Sequence, residues 1–132
     1  MNFDQFMGDV QHRARMATTG EAVRATYATL RTMGERLYGD EAENLAAQLP
    51  PEIGIYLRAA GEQETFPLDK FFERAAKYEE VDLPESVHHT RAVIATLQEA
   101  VTAGEMSDVR AQLPADYAPL FEAGSEGDLE TS

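Results

Sequence analysis

Apolar positions recur along the chain every three to four residues, and each run ends at a recognisable stop, a pattern that predicts short amphipathic helices. Phe3, Phe6, Met7 and Val10 share one helical face. Thr18-Thr19-Gly20-Glu21 then supplies a capping box, in which the Thr18 hydroxyl accepts from an orphan amide while Glu21 reaches back. Val23, Tyr27, Leu30 and Leu37 form the next stripe, Gly39 and Asp40 break it, and Asp40 with Glu43 signals a new cap ahead of Ala42, Leu45, Ala46 and Leu49. Pro50-Pro51 ends that run and pre-sets the first turn of a short helix carrying Ile53, Tyr56, Leu57 and Ala60. No segment alternates with period two for long enough to be a strand.

The second half follows the same plan. Leu68, Phe71, Phe72 and Ala75 make its first stripe, and Asp82-Leu83-Pro84-Glu85 caps a long helix bearing Val87, Ile94, Leu97 and Val101, which Gly104 is expected to stop. Met106, Val109 and Leu113 follow, then Pro114 and a final turn with Tyr117, Leu120 and Phe121. Short strings recur as well. Ala47-Gln48-Leu49-Pro50 returns as Ala111-Gln112-Leu113-Pro114, a spacing of 111 − 47 = 64, and Ala28-Thr29-Leu30 returns as Ala95-Thr96-Leu97, a spacing of 95 − 28 = 67, so a three-residue gap separates the two alignments. Phe3-Asp4-Gln5-Phe6-Met7 aligns with Leu68-Asp69-Lys70-Phe71-Phe72.

The expected architecture is therefore all-α: eight helices in two pseudo-symmetric four-helix repeats, residues 1–61 and 67–124, forming one compact bundle and a single domain over 1–124. Each ~60-residue copy alone would be marginal, which favours one shared core. Gly61 to Pro67 reads as a short connector. Residues 125–132 hold one apolar residue and three acids and are expected to be a disordered acidic tail.

The paired Asp-x-Phe helix starts (Asp4/Phe6 and Asp69/Phe71), the paired Ala-Thr-Leu helices and the paired Ala-Gln-Leu-Pro junctions resemble the prokaryotic domain-of-unknown-function family 2267, over residues 2 to about 123. That resemblance implies an all-helical tandem-repeat domain, frequent in bacteria and salt-loving archaea, with no assigned activity and no catalytic residues to transfer.

Charge changes the picture next. Among 132 residues, 24 acidic against 11 basic side chains leave a net charge of −13, and Lys70 and Lys77 are the only lysines. Basic residues scattered singly among more numerous carboxylates disfavour nucleic acid and anionic membrane surfaces as partners. Arg24, Arg31, Arg58 and Arg91 are expected to pair locally with carboxylates. The acidic balance fits a salt-loaded cytoplasm, where screening relieves carboxylate repulsion. Without cysteine there is no disulfide framework, thiolate zinc site or cysteine nucleophile, and the start Met1-Asn2-Phe3-Asp4 has no signal-peptide pattern, so a cytoplasmic location is expected.

Candidate chemistry is thin. Asp9/His12 and Glu85/His88 have the carboxylate-x-x-His spacing used in di-iron bundles. At about 100° per residue, however, His12 lies about 180° from Phe3 and His89 about 200° from Val87, so both face away from the apolar stripes. Solvent-exposed histidines are expected. The repeat also sets His12 opposite Lys77 and not opposite another histidine. There is no Gly-x-Ser-x-Gly, the serines being Ser86, Ser107, Ser125 and Ser132, and no phosphate-binding loop around the isolated Gly34 and Gly39. Adjacent acids such as Glu79/Glu80 and Asp40/Glu41 read as solvated charge. No catalytic, cofactor-binding or metal residue is nominated and no cofactor is expected.

The function expected is that of a non-enzymatic protein-interaction or regulatory module, with the partner and the oligomeric state open. The alternative is an apolar ligand pocket between the two repeats, lined by Phe6, Tyr27, Met33, Phe71 and Phe72.

Overall fold

The computed structural model describes residues 1–122, so the expected acidic tail at 125–132 lies outside the described residues. The chain forms α1 (Phe3–Ala14), α2 (Thr19–Arg36), α3 (Glu41–Ala46), α4 (Pro51–Arg58), α5 (Leu68–Glu79), α6 (Leu83–Ala100), α7 (Ala103–Ala111), a 3₁₀ turn (Ala115–Tyr117) and α8 (Ala118–Glu122). Among the described residues there is no strand.

The caps explain most of the boundaries. Asn2 and Gln5 at α1, and Thr18 and Glu21 at α2, form complete capping boxes, while Asp82 accepts from the Glu85 amide at α6. Asp40 makes no such bond, its backbone lying at φ −95°, ψ 6° and not in the extended region of the other caps, while the Glu43 carboxylate holds Arg58 at 2.9 Å on both oxygens. Gly104 does not stop α6 either. That helix ends where Val101 turns extended, Thr102 caps α7 through the Glu105 amide, and Gly104 sits inside the first turn of α7.

The long helices α1, α2, α5 and α6 pack on one another, α4 covers α2, α8 covers α6, and α3 meets α4 and α7. Phe6, Met7, Leu30, Met33, Phe71 and Leu97 are fully buried between them, each such burial being worth about 1.5–3 kcal/mol. Gly34 permits the closest of these approaches. A Cβ there would lie 2.6 Å from the Leu57 carbonyl oxygen and 2.7 Å from the Ala60 Cβ.

Helix lengths run 12, 18, 6 and 8 residues for α1 to α4, and 12, 18 and 9 for α5 to α7 before the 3₁₀ turn and α8. Several local features around α2 and α6 share one interval. The caps Thr18 and Asp82, the extended C-caps Leu37 and Val101, and the hydroxyls of Thr32 and Thr96, which donate to the carbonyls of Ala28 and Ala92, are each 64 residues apart. In α1 and α5 the interval is 65 residues, both from the starts Phe3 and Leu68 and from the left-handed C-caps Arg15 and Glu80.

Candidate functional site

An open groove of about 550 Å³ runs along α5, lined by Glu64, Phe66, Lys70, Glu73, Arg74, Lys77 and Tyr78. Lys70, Arg74 and Lys77 fall at i, i+4 and i+7 of that helix, so they form one stripe opposite the buried face of Leu68, Phe72 and Glu79. Arg74 is held by three contacts: its guanidinium lies 4.1 Å from the Phe66 ring centroid, and it donates to Glu64 at 2.7 Å and Glu35 at 3.2 Å. These carboxylates hold its pKa above the ordinary arginine value.

Beneath the groove, Glu35 of α2 organises the wall. Its carboxylate accepts from the Tyr78 hydroxyl at 2.6 Å, and Arg31 lies 3.6 Å away, stacked 4.3 Å from the Tyr78 ring centroid and donating to the Tyr27 hydroxyl at 2.6 Å. Burial first, then Glu35, raises the Tyr78 phenol. The connector is fastened to the same wall. Glu64 N–H donates to the Glu35 carbonyl at 2.7 Å, and the Phe66 carbonyl accepts from Arg36 at 2.8 Å and from the Tyr117 hydroxyl at 2.7 Å. Burial pushes that phenol up to about 12.

A second open groove, about 410 Å³, is lined by Gln98, Ala103, Met106, Ser107 and Arg110. Near it the paired Gln-Leu-Pro glutamines have a reciprocal task. Gln48 accepts the Thr102 N–H at 2.9 Å, while Gln112 accepts the Tyr38 N–H at 3.0 Å and donates to the Tyr38 carbonyl at 3.1 Å. Each glutamine thus ties its own half of the chain to the segment that follows the 18-residue helix of the other.

The histidines divide. His12 is exposed and His88 is exposed with a ring nitrogen 3.2 Å from the Ala14 carbonyl oxygen, so neither Asp9/His12 nor Glu85/His88 is gathered into a cluster of three or more metal-ligating side chains among the described residues. His89 departs from expectation. It is largely buried and bonded to the buried carboxylate of Glu79, which raises its pKa above the usual imidazole value. A single stripe through Val87 underestimates α6, whose residues Ala92–Leu97 are all buried among α1, α2, α5 and α8. Ser86 is buried and donates to the Phe72 carbonyl at 3.1 Å. Of the arginines expected to pair, Arg58 holds Glu43, Arg24 reaches Glu80 at 3.4 Å and the Glu79 carbonyl at 2.8 Å, and Arg31 belongs to the Glu35 wall. Arg91 has a buried Nε with no hydrogen-bond partner. Phe6, Met33 and Phe71 are core side chains with no exposure, Phe72 is buried, and Tyr27 packs edge-on against Tyr56 at 5.7 Å.

The chain belongs to the family of uncharacterized conserved proteins DUF2267, whose sequence model matches residues 3–120. No curated protein matches the chain. No helix among the described residues is long and apolar enough to cross a membrane.

Proposed function

We propose that the domain is a non-enzymatic, cytoplasmic recognition or regulatory module that takes an acidic segment of a partner protein into the α5 groove. One observation carries this reading. In a chain with 13 surplus acids, both lysines and Arg74 line this groove; Lys70 pairs with Glu73 at 3.3 Å, Arg74 with Glu64 and Glu35, and Lys77 adds a further cation beside them. The Phe66 ring stacked on Arg74 adds an apolar floor, and the Glu35 wall holds the guanidinium in place before a partner arrives, which lowers the ordering cost of binding. A basic stripe this short offers too few phosphate contacts for nucleic acid. The acid surplus elsewhere suits a salt-loaded cytoplasm and keeps the remaining surface from competing for the same partner.

The test is capture of the partner at native salt by the wild-type chain and by the double variant Lys70→Glu/Lys77→Glu. Loss of the co-purifying protein in the variant, at unchanged helix content, is the expected result. Equal capture would remove the groove from the binding face.

A further inference from the structure

Glu41 and Glu105 stand 105 − 41 = 64 residues apart, the same interval as the caps, and they meet where α3 packs on α7. With Asp108, which follows Glu105 by one turn, they bring carboxylate oxygens to within 4.8 Å of one another. An acidic cluster is unremarkable on so acidic a surface, but this one is partly inside the protein. Glu105 is 8% exposed, and its Oε2, like the Oε2 of Glu41, is cut off from solvent with no hydrogen-bond donor.

The capping geometry turns Glu105 toward this place. At α2 the third-position Glu21 returns to the amide of its cap residue Thr18. At α7 that amide, Thr102 N–H, is already bonded by Gln48, so the Glu105 carboxylate is released toward Glu41. Facing it are the carboxylates of Glu41 and Asp108. A buried carboxylate oxygen without a donor is costly and must share either a proton or a cation.

We propose that Glu41, Glu105 and Asp108 bind a hard divalent cation of the size of Ca²⁺ at the α3–α7 junction. An all-oxygen donor set selects hard cations over zinc or copper. Three carboxylate oxygens within 4.8 Å of one another can surround one such ion, and the larger, more flexible coordination sphere of Ca²⁺ suits a site of this kind better than the near-ideal octahedron that Mg²⁺ demands. Asp108 is exposed and Glu41 half-buried, so water reaches one side and supplies the remaining ligands. The ion would clamp α3 to α7 and relieve the repulsion between the facing glutamates.

The experiment titrates CaCl₂ and, separately, MgCl₂ into the full chain at pH 8 by calorimetry, with urea midpoints measured at matched ionic strength in KCl. One saturable equivalent of Ca²⁺ is expected, with a dissociation constant of about 10⁻⁴–10⁻³ M for so few protein ligands, tighter than Mg²⁺, and a raised urea midpoint. Glu105→Gln should weaken Ca²⁺ at least about tenfold, whereas Glu52→Gln, at an exposed position of α4 outside the cluster, should leave it unchanged. If Glu105→Gln does not fold, the exposed Asp108→Asn carries the same comparison. No saturable binding, equal binding in the cluster variants, equal loss in Glu52→Gln, or a Glu105 titration that Ca²⁺ does not move, as for a carboxyl that shares only a proton, would each overturn the site.

Discussion

Glu35 and Glu105 are both buried acids, 4% and 8% exposed, yet their surroundings are opposite. Glu35 faces two arginines and a phenol: Arg74 and Tyr78 donate to it, and Arg31 lies within ion-pair distance. Glu105 faces two other carboxylates. Between them stands Glu79, also 4% exposed, whose side-chain partner is a histidine and therefore a cation only when protonated. Burial alone thus says little about an acid in this fold. What decides its role is whether the opposing element brings a permanent charge, a titratable one or none. The permanent one builds the groove wall, and the absent one leaves room for an ion.

The largest expected effect is at the permanent pair. Glu35→Gln removes the charge that both arginines face and weakens a charge-assisted bond from Tyr78, so it should cost about 2–4 kcal/mol. The two arginine side chains are about a third exposed, 33% and 30%, so solvent screens part of the loss and the upper end is not expected. A fall in the urea midpoint at unchanged m-value measures it. A cost below about 0.5 kcal/mol would mean that water replaces the carboxylate, and Glu35 would cease to differ from a surface acid.

The reach of sequence reasoning follows the same division. Helix order, apolar faces and the caps at Thr18 and Asp82 were legible because they are local: donor, acceptor and stripe lie within a few residues. Thr102-Ala103-Gly104-Glu105 carries the same local signal, which competes with the helix-stopping tendency of Gly104 and prevails because Thr102 makes the cap. The Glu35 wall was not legible, since Arg74 and Tyr78 come from 39 and 43 residues away. Nor was the meeting of Glu41 with Glu105. Nor was the burial of His89, because periodicity assigns one apolar face, whereas α6 is covered on several.

The next effect should have the opposite sign. With divalent cations chelated, Glu105→Gln should stabilise the protein at pH 8 by on the order of 1–3 kcal/mol, because it removes a buried charge and lets the amide donate to Glu41. The pH dependence gives the sign independently. The Glu105 carboxyl titrates near 7 in the folded chain against an ordinary 4.5, so its favourable contribution is complete below about 4.5 and is lost as pH rises through 7. The wild type should lose stability over that window relative to the variant. Parallel curves would mean that Glu105 is as well compensated as Glu35.

A smaller effect separates the two glutamine ties. Gln112→Ala breaks two bonds to Tyr38 and should cost about 1 kcal/mol. Gln48→Ala breaks one bond to Thr102, and Glu105 can then swing back to cap that amide, so its cost should be lower. Urea midpoints of the two variants make the comparison. A larger loss in Gln48→Ala would show that Glu105 is fixed beside Glu41 for reasons other than the occupied cap.

The smallest effect belongs to the intermediate case. His89 is held above its usual pKa of 6.5 chiefly by its bond to Glu79, against the cost of burial, with weaker help from Glu85 and Glu21. A raised imidazole stabilises the fold fully below 6.5, and that share disappears as pH climbs through the folded value. Above it, neutral His89 can still donate one hydrogen bond to Glu79, so only the charged part of the interaction is lost. Because Glu105 gives a fall in overlapping pH range, the measurement belongs in the Glu105→Gln background. There, stability should still decline on raising pH from 6 to 8, and adding His89→Gln should flatten the curve. A decline that survives both substitutions would have to come from another group, and Glu79 would then rank beside Glu35 as an acid whose compensation does not depend on pH.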